Sequence, residues 1–185
     1  MSNAPVVALA IAGGIASGKT SLAKALSEHL ACPWTSFGDC VRTVAAEQGL
    51  DTSRETLQAV GEALIGAGWD PFCRRTLGRC DWCPGGRVVI DGIRHVEAIR
   101  HLQAILYPVP LLLLFVQTDQ SLRRKRLARR DDPAGHDLEQ IESHPTEVDA
   151  AARLADMAER VLDGSQPITQ TVAEVVLWLS AKSVS

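Results

Sequence analysis

The chain has 185 residues and a formal net charge of −3, with 46% hydrophobic and 22% charged residues. This length and composition predict one globular domain and exclude a disordered chain. General nucleic-acid binders carry a large basic excess, so we expect no nucleic-acid partner. The longest apolar run, residues 109–116, is far shorter than the roughly 20 residues of a membrane helix, so we expect no membrane association.

Cysteine usage favours a cytoplasmic protein. The chain has five cysteines, and an odd number without a basic leader segment favours reduced thiols. The spacing of Cys73, Cys80 and Cys83 leaves a zinc site open as an alternative, although a structural zinc ion needs four ligands. Composition leaves the oligomeric state open between a monomer and a homodimer.

Short apolar runs alternate with stretches of helical periodicity, a pattern typical of a parallel sheet flanked by helices. The predicted strands are residues 6–12, 34–37, 87–91, 111–116 and 160–164. The predicted helices are residues 19–30, 40–48, 53–65, 71–78, 96–106, 119–130 and 169–181. Residues 39–86 contribute helices but no strand, so we predict that they form an insertion on the sheet core.

Local signals predict where two of these helices begin. Asp39 is the expected N-cap of the helix that follows it, and Thr52 with Glu55 matches the capping-box spacing for the next helix. Residues 131–145 are polar and contain proline and glycine, a composition typical of a mobile segment.

The sequence from Gly13 to Thr20, G-G-I-A-S-G-K-T, matches the phosphate-loop pattern G-x-x-x-x-G-K-[ST] at every fixed position. In such a loop the backbone N–H groups point at phosphate oxygens, and the following helix adds the positive end of its dipole. A predicted buried strand precedes the motif and an amphipathic helix follows it, as the motif requires. The sequence therefore predicts a nucleoside triphosphate site formed by Gly13, Gly14, Ala16, Ser17, Gly18, Lys19, Thr20 and Ser21.

Three polar residues are candidates for charge neutralisation and metal binding. Lys19 is expected to neutralise the β- and γ-phosphates, and the Thr20 hydroxyl is expected to bind Mg²⁺. Asp91 follows the apolar residues 88–90, at the predicted end of a strand beside the phosphate loop, where a carboxylate can hold the metal through water. A simple N-cap role is the alternative for Asp91.

Two short segments, S-F-G-D-C-V-R at residues 36–42 and D-G-I-R at residues 91–94, carry further charged residues. They resemble the G-D-x-x-R and D-G-x-P-R segments of nucleoside monophosphate kinases of the adenylate kinase type. The resemblance implies that Arg42 and Arg94 hold the phosphate of an acceptor and that Asp39 lies in the same binding region. Arginine suits this role because its fork binds phosphate in bidentate geometry without losing its charge.

The basic run R-R-K-R-L-A-R-R-D-D at residues 123–132 follows the fourth predicted strand, where such kinases carry their lid. The resemblance implies that residues 123–145 form the lid region. It also implies that Arg126 and Arg130 clamp the transferred phosphoryl group and exclude water. Arg123 and Arg124 are expected on the solvated helix surface. Nucleic-acid binding is the other interpretation of this run, and the acidic chain without interleaved aromatic residues disfavours it.

The chain also departs from that family. The segment at residues 91–94 lacks the proline, residues 141–144 lack a further lid arginine, and residues 95–97 lack the glutamine that commonly binds an adenine acceptor. Residues 126–130 and 152–164 resemble dephospho-coenzyme A kinase, which phosphorylates a ribose hydroxyl. That second resemblance implies that Asp39 acts as the carboxylate base.

Together these features predict an α/β fold with a parallel sheet between helical layers. The resemblance implies the three-layer phosphate-loop fold with a five-stranded parallel sheet in the order 2-3-1-4-5. The resemblance implies an ATP- and Mg²⁺-dependent kinase that phosphorylates a small phosphorylated metabolite, most simply a nucleoside or deoxynucleoside monophosphate. Its catalytic residues would be Lys19, Asp91, Arg126 and Arg130. One alternative is a hydroxyl kinase similar to dephospho-coenzyme A kinase. An alternative of another class is a non-transferring ATP-binding switch or degenerate kinase.

Overall fold

The computed structural model describes residues 6–129 and 145–182. Within these two ranges the strands are β1 (Ala8–Gly13), β2 (Trp34–Ser36), β3 (Val88–Ile93), β4 (Leu111–Gln117) and β5 (Arg160–Asp163). The helices are α1 (Lys19–Leu30), α2 (Phe37–Glu47), α3 (Arg54–Gly66), α4 (Trp69–Leu77), α5 (Val96–Leu106), α6 (Gln120–Ala128), α7 (Pro145–Met157) and α8 (Ile168–Lys182).

The five strands form one sheet in the order β2-β3-β1-β4-β5, and every neighbouring pair is parallel. The predicted fold class is therefore confirmed. The carboxyl ends of β1, β3 and β4 meet at one edge of this sheet, because Gly13 of β1 pairs with Val116 of β4 and Ile11 pairs with Asp91 of β3. Ligands of open parallel sheets bind at this edge.

Alternate residues of each strand face the two helical layers, as the two-residue period of a strand requires. On one face Ala10, Ile90 and Leu113 pack with α4, α5 and α7. On the other face Leu9 and Leu114 pack with α1 and α8. Burial of both faces explains why β1 and β4 consist almost entirely of apolar residues.

The connection between β2 and β3 carries α2, α3 and α4. Phe72, Cys73 and Leu77 of α4 are buried in the core on the sheet. The contact between α2 and α3 is a smaller cluster around Val44 and Val60. Phe37 and Cys40 of α2 belong to the same buried cluster, so α4 and the start of α2 are part of the sheet core, whereas α3 lies largely outside it.

Two predicted helix caps are wrong. The N-cap of α2 is Ser36, whose hydroxyl accepts a hydrogen bond from the Asp39 N–H at 3.3 Å, so Asp39 lies in the first turn. The N-cap of α3 is Ser53, whose hydroxyl accepts from the Thr56 N–H at 3.3 Å. Both errors occur where several capping side chains follow one another, and propensity alone cannot select among them.

The structure adds one helix, α7, that the sequence did not predict. Its described side chains include Leu154 as the one buried large apolar residue, so the helical period is weak. Residues 130–144, which include Arg130 and nearly all of the predicted mobile segment, lie outside the described residues. Within the described ranges, no helix is long and apolar enough to cross a membrane.

Candidate active site

The phosphate loop joins β1 to α1 and contains several residues in the left-handed region. The φ angles are +148° at Gly13, +58° at Ala16 and +100° at Gly18, which is the N-cap of α1. Glycine adopts these angles without a steric penalty, whereas Ala16 is held there by its surroundings. The structure therefore places the predicted loop residues at the N-terminus of α1, the location that favours anions.

The Lys19 side chain lies over this loop. Its Nζ donates a hydrogen bond to the Gly14 carbonyl oxygen at 3.0 Å, and the Ser17 N–H donates to the same oxygen at 3.2 Å. Ser17 is 1% exposed, and its buried hydroxyl oxygen makes no hydrogen bond with any described residue. The ammonium group is thus positioned to contact an anion bound at the loop.

Thr20 and Asp91 lie next to each other at the first turn of α1. Thr20 Oγ1 donates a hydrogen bond to Asp91 Oδ2 at 2.6 Å. The strand β3 continues two residues beyond Asp91, to Ile93, and its pairing with β1 shifts there so that Gly92, at φ +82°, bulges out. The structure therefore brings together the two residues that the sequence predicted as metal ligands.

The environment of Asp91 is unusual for a carboxylate. The residue is 2% exposed, and Oδ1 makes no hydrogen bond with any residue in the part of the chain that the structure describes. Burial raises the pKa of Asp91, while the hydrogen bond from Thr20 and the charge of Lys19 oppose that rise. A buried, unsatisfied carboxylate oxygen beside a hydroxyl fits a site for a hard cation with oxygen ligands.

Asp39 and Arg42 lie together in the first turns of α2. Arg42 donates two hydrogen bonds to Asp39 Oδ1, and the two side chains are 53% and 36% exposed. The charge of Asp39 also contributes slightly to the raised pKa of Asp91, so these carboxylates share a neighbourhood. The structure thus pairs two predicted acceptor-binding residues with each other.

A cavity of about 300 Å³ opens at the start of the phosphate loop. Arg94, predicted to hold an acceptor, lines it together with Arg123 of α6. The remaining lining residues come from the phosphate loop, the ends of β3 and β4, and α7: Gly13, Gly14, Ile15, Ile93, Phe115, Val116, Gln117, Thr118, Ala150, Ala151 and Leu154. Arg42 is not among them, so the structure joins Arg94 to the phosphate loop in one cavity but does not join Arg42 to that cavity.

Arg126 has a different environment from the one expected for a phosphoryl clamp. Its Nη1 donates to the Ser17 and Ala16 carbonyl oxygens at 2.9 and 3.3 Å, and its Nη2 donates to the Gly164 carbonyl oxygen at 2.7 Å. Arg126 therefore contacts the backbone of the phosphate loop and of the turn after β5. Its predicted partner Arg130 lies outside the described residues.

Sequence reasoning missed three residues at this site. Arg123, expected on the solvated surface, is half-buried and lines the cavity. Thr118 donates to the Ser17 carbonyl oxygen at 2.9 Å, and Gly164 accepts from Arg126. Thr118 and Gly164 directly follow the carboxyl ends of β4 and β5, and that position is the signal that could have identified them.

The described residues include no cluster of three or more His, Cys, Asp or Glu side chains arranged to hold a metal ion. All five cysteines are free thiols. They include Cys73, Cys80 and Cys83, whose spacing left a zinc site as an alternative.

Comparison with solved structures places the fold among those of phosphate-loop kinases. The chain matches the crystal structure of shikimate kinase from Aquifex aeolicus with a TM-score of 0.59 at 13% identity, covering 97% of this chain and 99% of that one. At this identity the likeness concerns the fold alone. The chain belongs to the AAA domain family AAA_18, whose family model matches residues 9–147. The matched range contains the phosphate loop, Asp91 and Arg126.

Two curated relatives are similar in sequence. A UPF0200 protein of Pyrobaculum aerophilum is 34% identical over 128 residues, which are 68% of this chain and 68% of that protein. A cytidylate kinase of Aeropyrum pernix is 34% identical over 122 residues, which are 65% of this chain and 63% of that protein. The similarity thus extends over about two thirds of the length of each relative.

Proposed function

We propose that this protein is an ATP-dependent kinase that transfers the γ-phosphoryl group to a small phosphorylated metabolite, with a nucleoside or deoxynucleoside monophosphate as the leading acceptor. One observation carries the proposal: a cavity with two arginines opens directly at the phosphate loop. A polyphosphate on the loop and an anion in the cavity would be adjacent, as phosphoryl transfer requires. The relative named cytidylate kinase supports this class of acceptor.

In this proposal the phosphate loop and Lys19 hold the phosphates of ATP. Thr20 and Asp91 would hold Mg²⁺, and the buried, unsatisfied Asp91 Oδ1 supports that assignment. The metal would supply charge neutralisation at the transferring phosphoryl group. Asp91 is fixed by strand β3 and Thr20 by helix α1, so both oxygen ligands are positioned by rigid elements.

Arg94 is the proposed principal contact to the acceptor phosphate, and Arg123 adds positive charge to the same cavity. Arg42 would join them by giving up its ion pair with Asp39. That exchange is inexpensive, since a solvent-exposed ion pair contributes only about 0–1 kcal/mol and a bidentate arginine–phosphate pair is stronger. The acceptor would thus be oriented by arginines, and little covalent participation by the protein is needed.

A hydroxyl kinase is the second candidate. It is favoured by the position of Asp39, whose charge opposes the ionisation of Asp91 and which therefore lies near the proposed metal site. In a hydroxyl kinase, Asp39 would take the proton of the attacking hydroxyl group.

The test is ADP release from Mg-ATP across a panel of acceptors, with the phosphorylated product identified by mass spectrometry. The panel contains all ribonucleoside and deoxyribonucleoside monophosphates, dephospho-coenzyme A, shikimate and gluconate. We expect one monophosphate to raise ADP release well above the acceptor-free rate.

Each other outcome has a defined meaning. Turnover with a hydroxyl acceptor alone would replace the monophosphate proposal by the hydroxyl kinase and give Asp39 the central role. Tight ATP binding with no acceptor-dependent turnover would favour a nucleotide-binding switch. Failure to bind ATP at all would contradict both kinase proposals.

A further inference from the structure

Arg126 contacts the backbone of the phosphate loop at two consecutive peptide groups. Its Nη1 donates to the carbonyl oxygens of Ala16 and Ser17, at 3.3 and 2.9 Å. The Ser17 oxygen accepts a second hydrogen bond, from Thr118 Oγ1 at 2.9 Å. Two donors from outside the loop, one of them charged, therefore converge on one carbonyl group.

These contacts fix the directions of the N–H groups in the same peptides. In a trans peptide the C=O and N–H bonds point in opposite directions. Holding the Ser17 oxygen thus directs the Gly18 N–H away from Arg126, and holding the Ala16 oxygen directs the Ser17 N–H away as well. The Ser17 N–H donates to the Gly14 carbonyl oxygen at 3.2 Å, which closes the loop on itself.

The arrangement explains two backbone features of the loop. Ala16 has a positive φ of 58°, which costs energy for a residue with a side chain, and Gly18 has a φ of 100°. External hydrogen bonds to the intervening carbonyl groups offset that cost. A positively charged donor that is hydrogen-bonded to a carbonyl oxygen also polarises the peptide and strengthens its N–H as a donor.

We propose that Arg126 is a positioning residue that orients the Gly18 N–H of the phosphate loop toward the polyphosphate of ATP and keeps the Ser17 N–H in the hydrogen bond that closes the loop, with Thr118 as its second support. Arg126 acts through the loop backbone and makes no contact with the transferred phosphoryl group. The Gly164 contact anchors the other end of its guanidinium to the turn after β5. The proposal rests on the proposed function only in that the loop binds the phosphates of ATP.

Three roles for Arg126 give different patterns of ligand binding. A positioning role lowers affinity for any polyphosphate, with or without a base. A phosphoryl clamp lowers kcat and leaves ATP affinity unchanged. A contact to the nucleobase lowers affinity for ATP but not for inorganic tripolyphosphate.

The experiment measures the Kd of Mg-ATP and of inorganic tripolyphosphate by calorimetry for the wild type, Arg126→Gln, Arg126→Lys and Thr118→Val. For Arg126→Gln we expect both Kd values to rise by the same factor, about tenfold to a hundredfold, because charge-assisted hydrogen bonds are lost. Arg126→Lys should restore part of the affinity. Thr118→Val should raise both values by about fivefold, since it removes one neutral hydrogen bond.

Arg129→Gln is the matched control, because Arg129 is an exposed arginine at the C-terminal end of the same helix. Its Kd values should equal those of the wild type. Melting temperatures identify any variant that fails to fold. If Arg126→Gln does not fold, Thr118→Val tests the proposal instead.

Unchanged Kd values in folded Arg126→Gln and Thr118→Val would overturn the proposal, as would a loss confined to ATP. If the wild type binds neither ligand, the proposed function fails and the inference fails with it. If the wild type binds both ligands and the variants bind them with the same Kd values, only the inference fails.

Discussion

The two sides of the candidate site differ in how firmly their polar groups are held. On the nucleotide side, the carbonyl oxygens of Gly14, Ala16 and Ser17 all accept hydrogen bonds from side chains. On the acceptor side, Arg42 and Asp39 are paired with each other on the surface, with side-chain exposures of 53% and 36%. The first side is preformed, whereas the second can rearrange.

This difference has an energetic meaning. A preformed loop has already lost the conformational freedom that binding would otherwise remove, so its contacts contribute fully to affinity. Exposed arginines must be ordered when the acceptor arrives, and part of their interaction energy offsets that ordering. We therefore expect substitutions on the nucleotide side to cost more than those on the acceptor side.

The largest effect is expected for Lys19→Met on the nucleotide side. Loss of the ammonium beside the phosphates should lower kcat/KM by about 10³-fold while the fold persists, because Lys19 is not part of the buried core. Steady-state kinetics with the best acceptor of the panel measures the loss. Lys182→Met, an exposed lysine at the end of α8, is the control and should be indistinguishable from the wild type. Near-normal turnover by Lys19→Met would refute the kinase proposal.

Substitution of one glycine on each side of the site compares how tightly the two sides are packed. A Cβ on Gly164 would lie 2.0 Å from Thr118 Oγ1 and 2.7 Å from the Ser17 carbonyl oxygen, so Gly164→Ala should destabilise the protein by about 3 kcal/mol and weaken ATP binding. Gly66 ends α3 on the acceptor side, and a Cβ there would meet open space. Gly66→Ala should stabilise the protein by about 0.5–1 kcal/mol. Urea denaturation measures both changes, and equal effects would remove the packing contrast between the two sides.

Substitution of Arg94 and of Arg42 compares the contributions of two arginines to acceptor binding. Arg94 lines the cavity at the phosphate loop, so Arg94→Ala should raise the acceptor KM by about tenfold to a hundredfold. Arg42 must first leave Asp39, so Arg42→Ala should raise it by less than about tenfold. The KM for ATP should change little in either variant. A larger effect on ATP than on the acceptor would contradict the assignment of the cavity.

The last prediction concerns the pH dependence of stability at Cys73, which tests whether α4 stays packed on the sheet. Burial raises the pKa of the Cys73 thiol to about 12, and the residue is 0% exposed. The unfolded thiol ionises above about pH 8.5 while the folded one stays neutral, so this contribution to stability is lost as the pH rises from there toward 12. Between pH 8 and 10 the wild type should lose about 1.5–2 kcal/mol more stability than Cys73→Ala. Equal losses would mean that the thiol is accessible and that α4 does not stay packed on the sheet.

Sequence periodicity predicted the elements whose residues contact one another locally or lie in the sheet core. The helices 19–30 and 96–106 have the predicted bounds, because apolar residues at helical spacing bury one face of each. The alternation of strands and helices predicted a parallel sheet, and the resemblance to the kinase family implied the order of its strands. Helix α7 was missed because its described part buries a single large apolar residue, Leu154.

The site was predictable where a motif spacing carries the geometry, and unpredictable where distant segments meet. Lys19, Thr20 and Asp91 come together as the motif and the strand-end rule require. The partners of Arg126 are backbone oxygens about 40 to 110 residues away. Every residue has such an oxygen, so the residue types do not indicate which ones Arg126 contacts. The exposure of Arg123 to the cavity depends on the rotation of α6 about its axis, which a helix rich in basic residues does not specify.

The contact between Ser17, Thr118 and Gly164 also determines when the phosphate loop is completed during translation. Gly164 is synthesised about 150 residues after the phosphate loop, and at roughly 5–20 residues per second that interval is roughly 7 to 30 s. During this interval the loop lacks the turn that anchors Arg126, so we expect a nascent chain to bind ATP more weakly than the chain that contains this turn. The phosphate loop is thus completed by a segment that is translated about 150 residues after it.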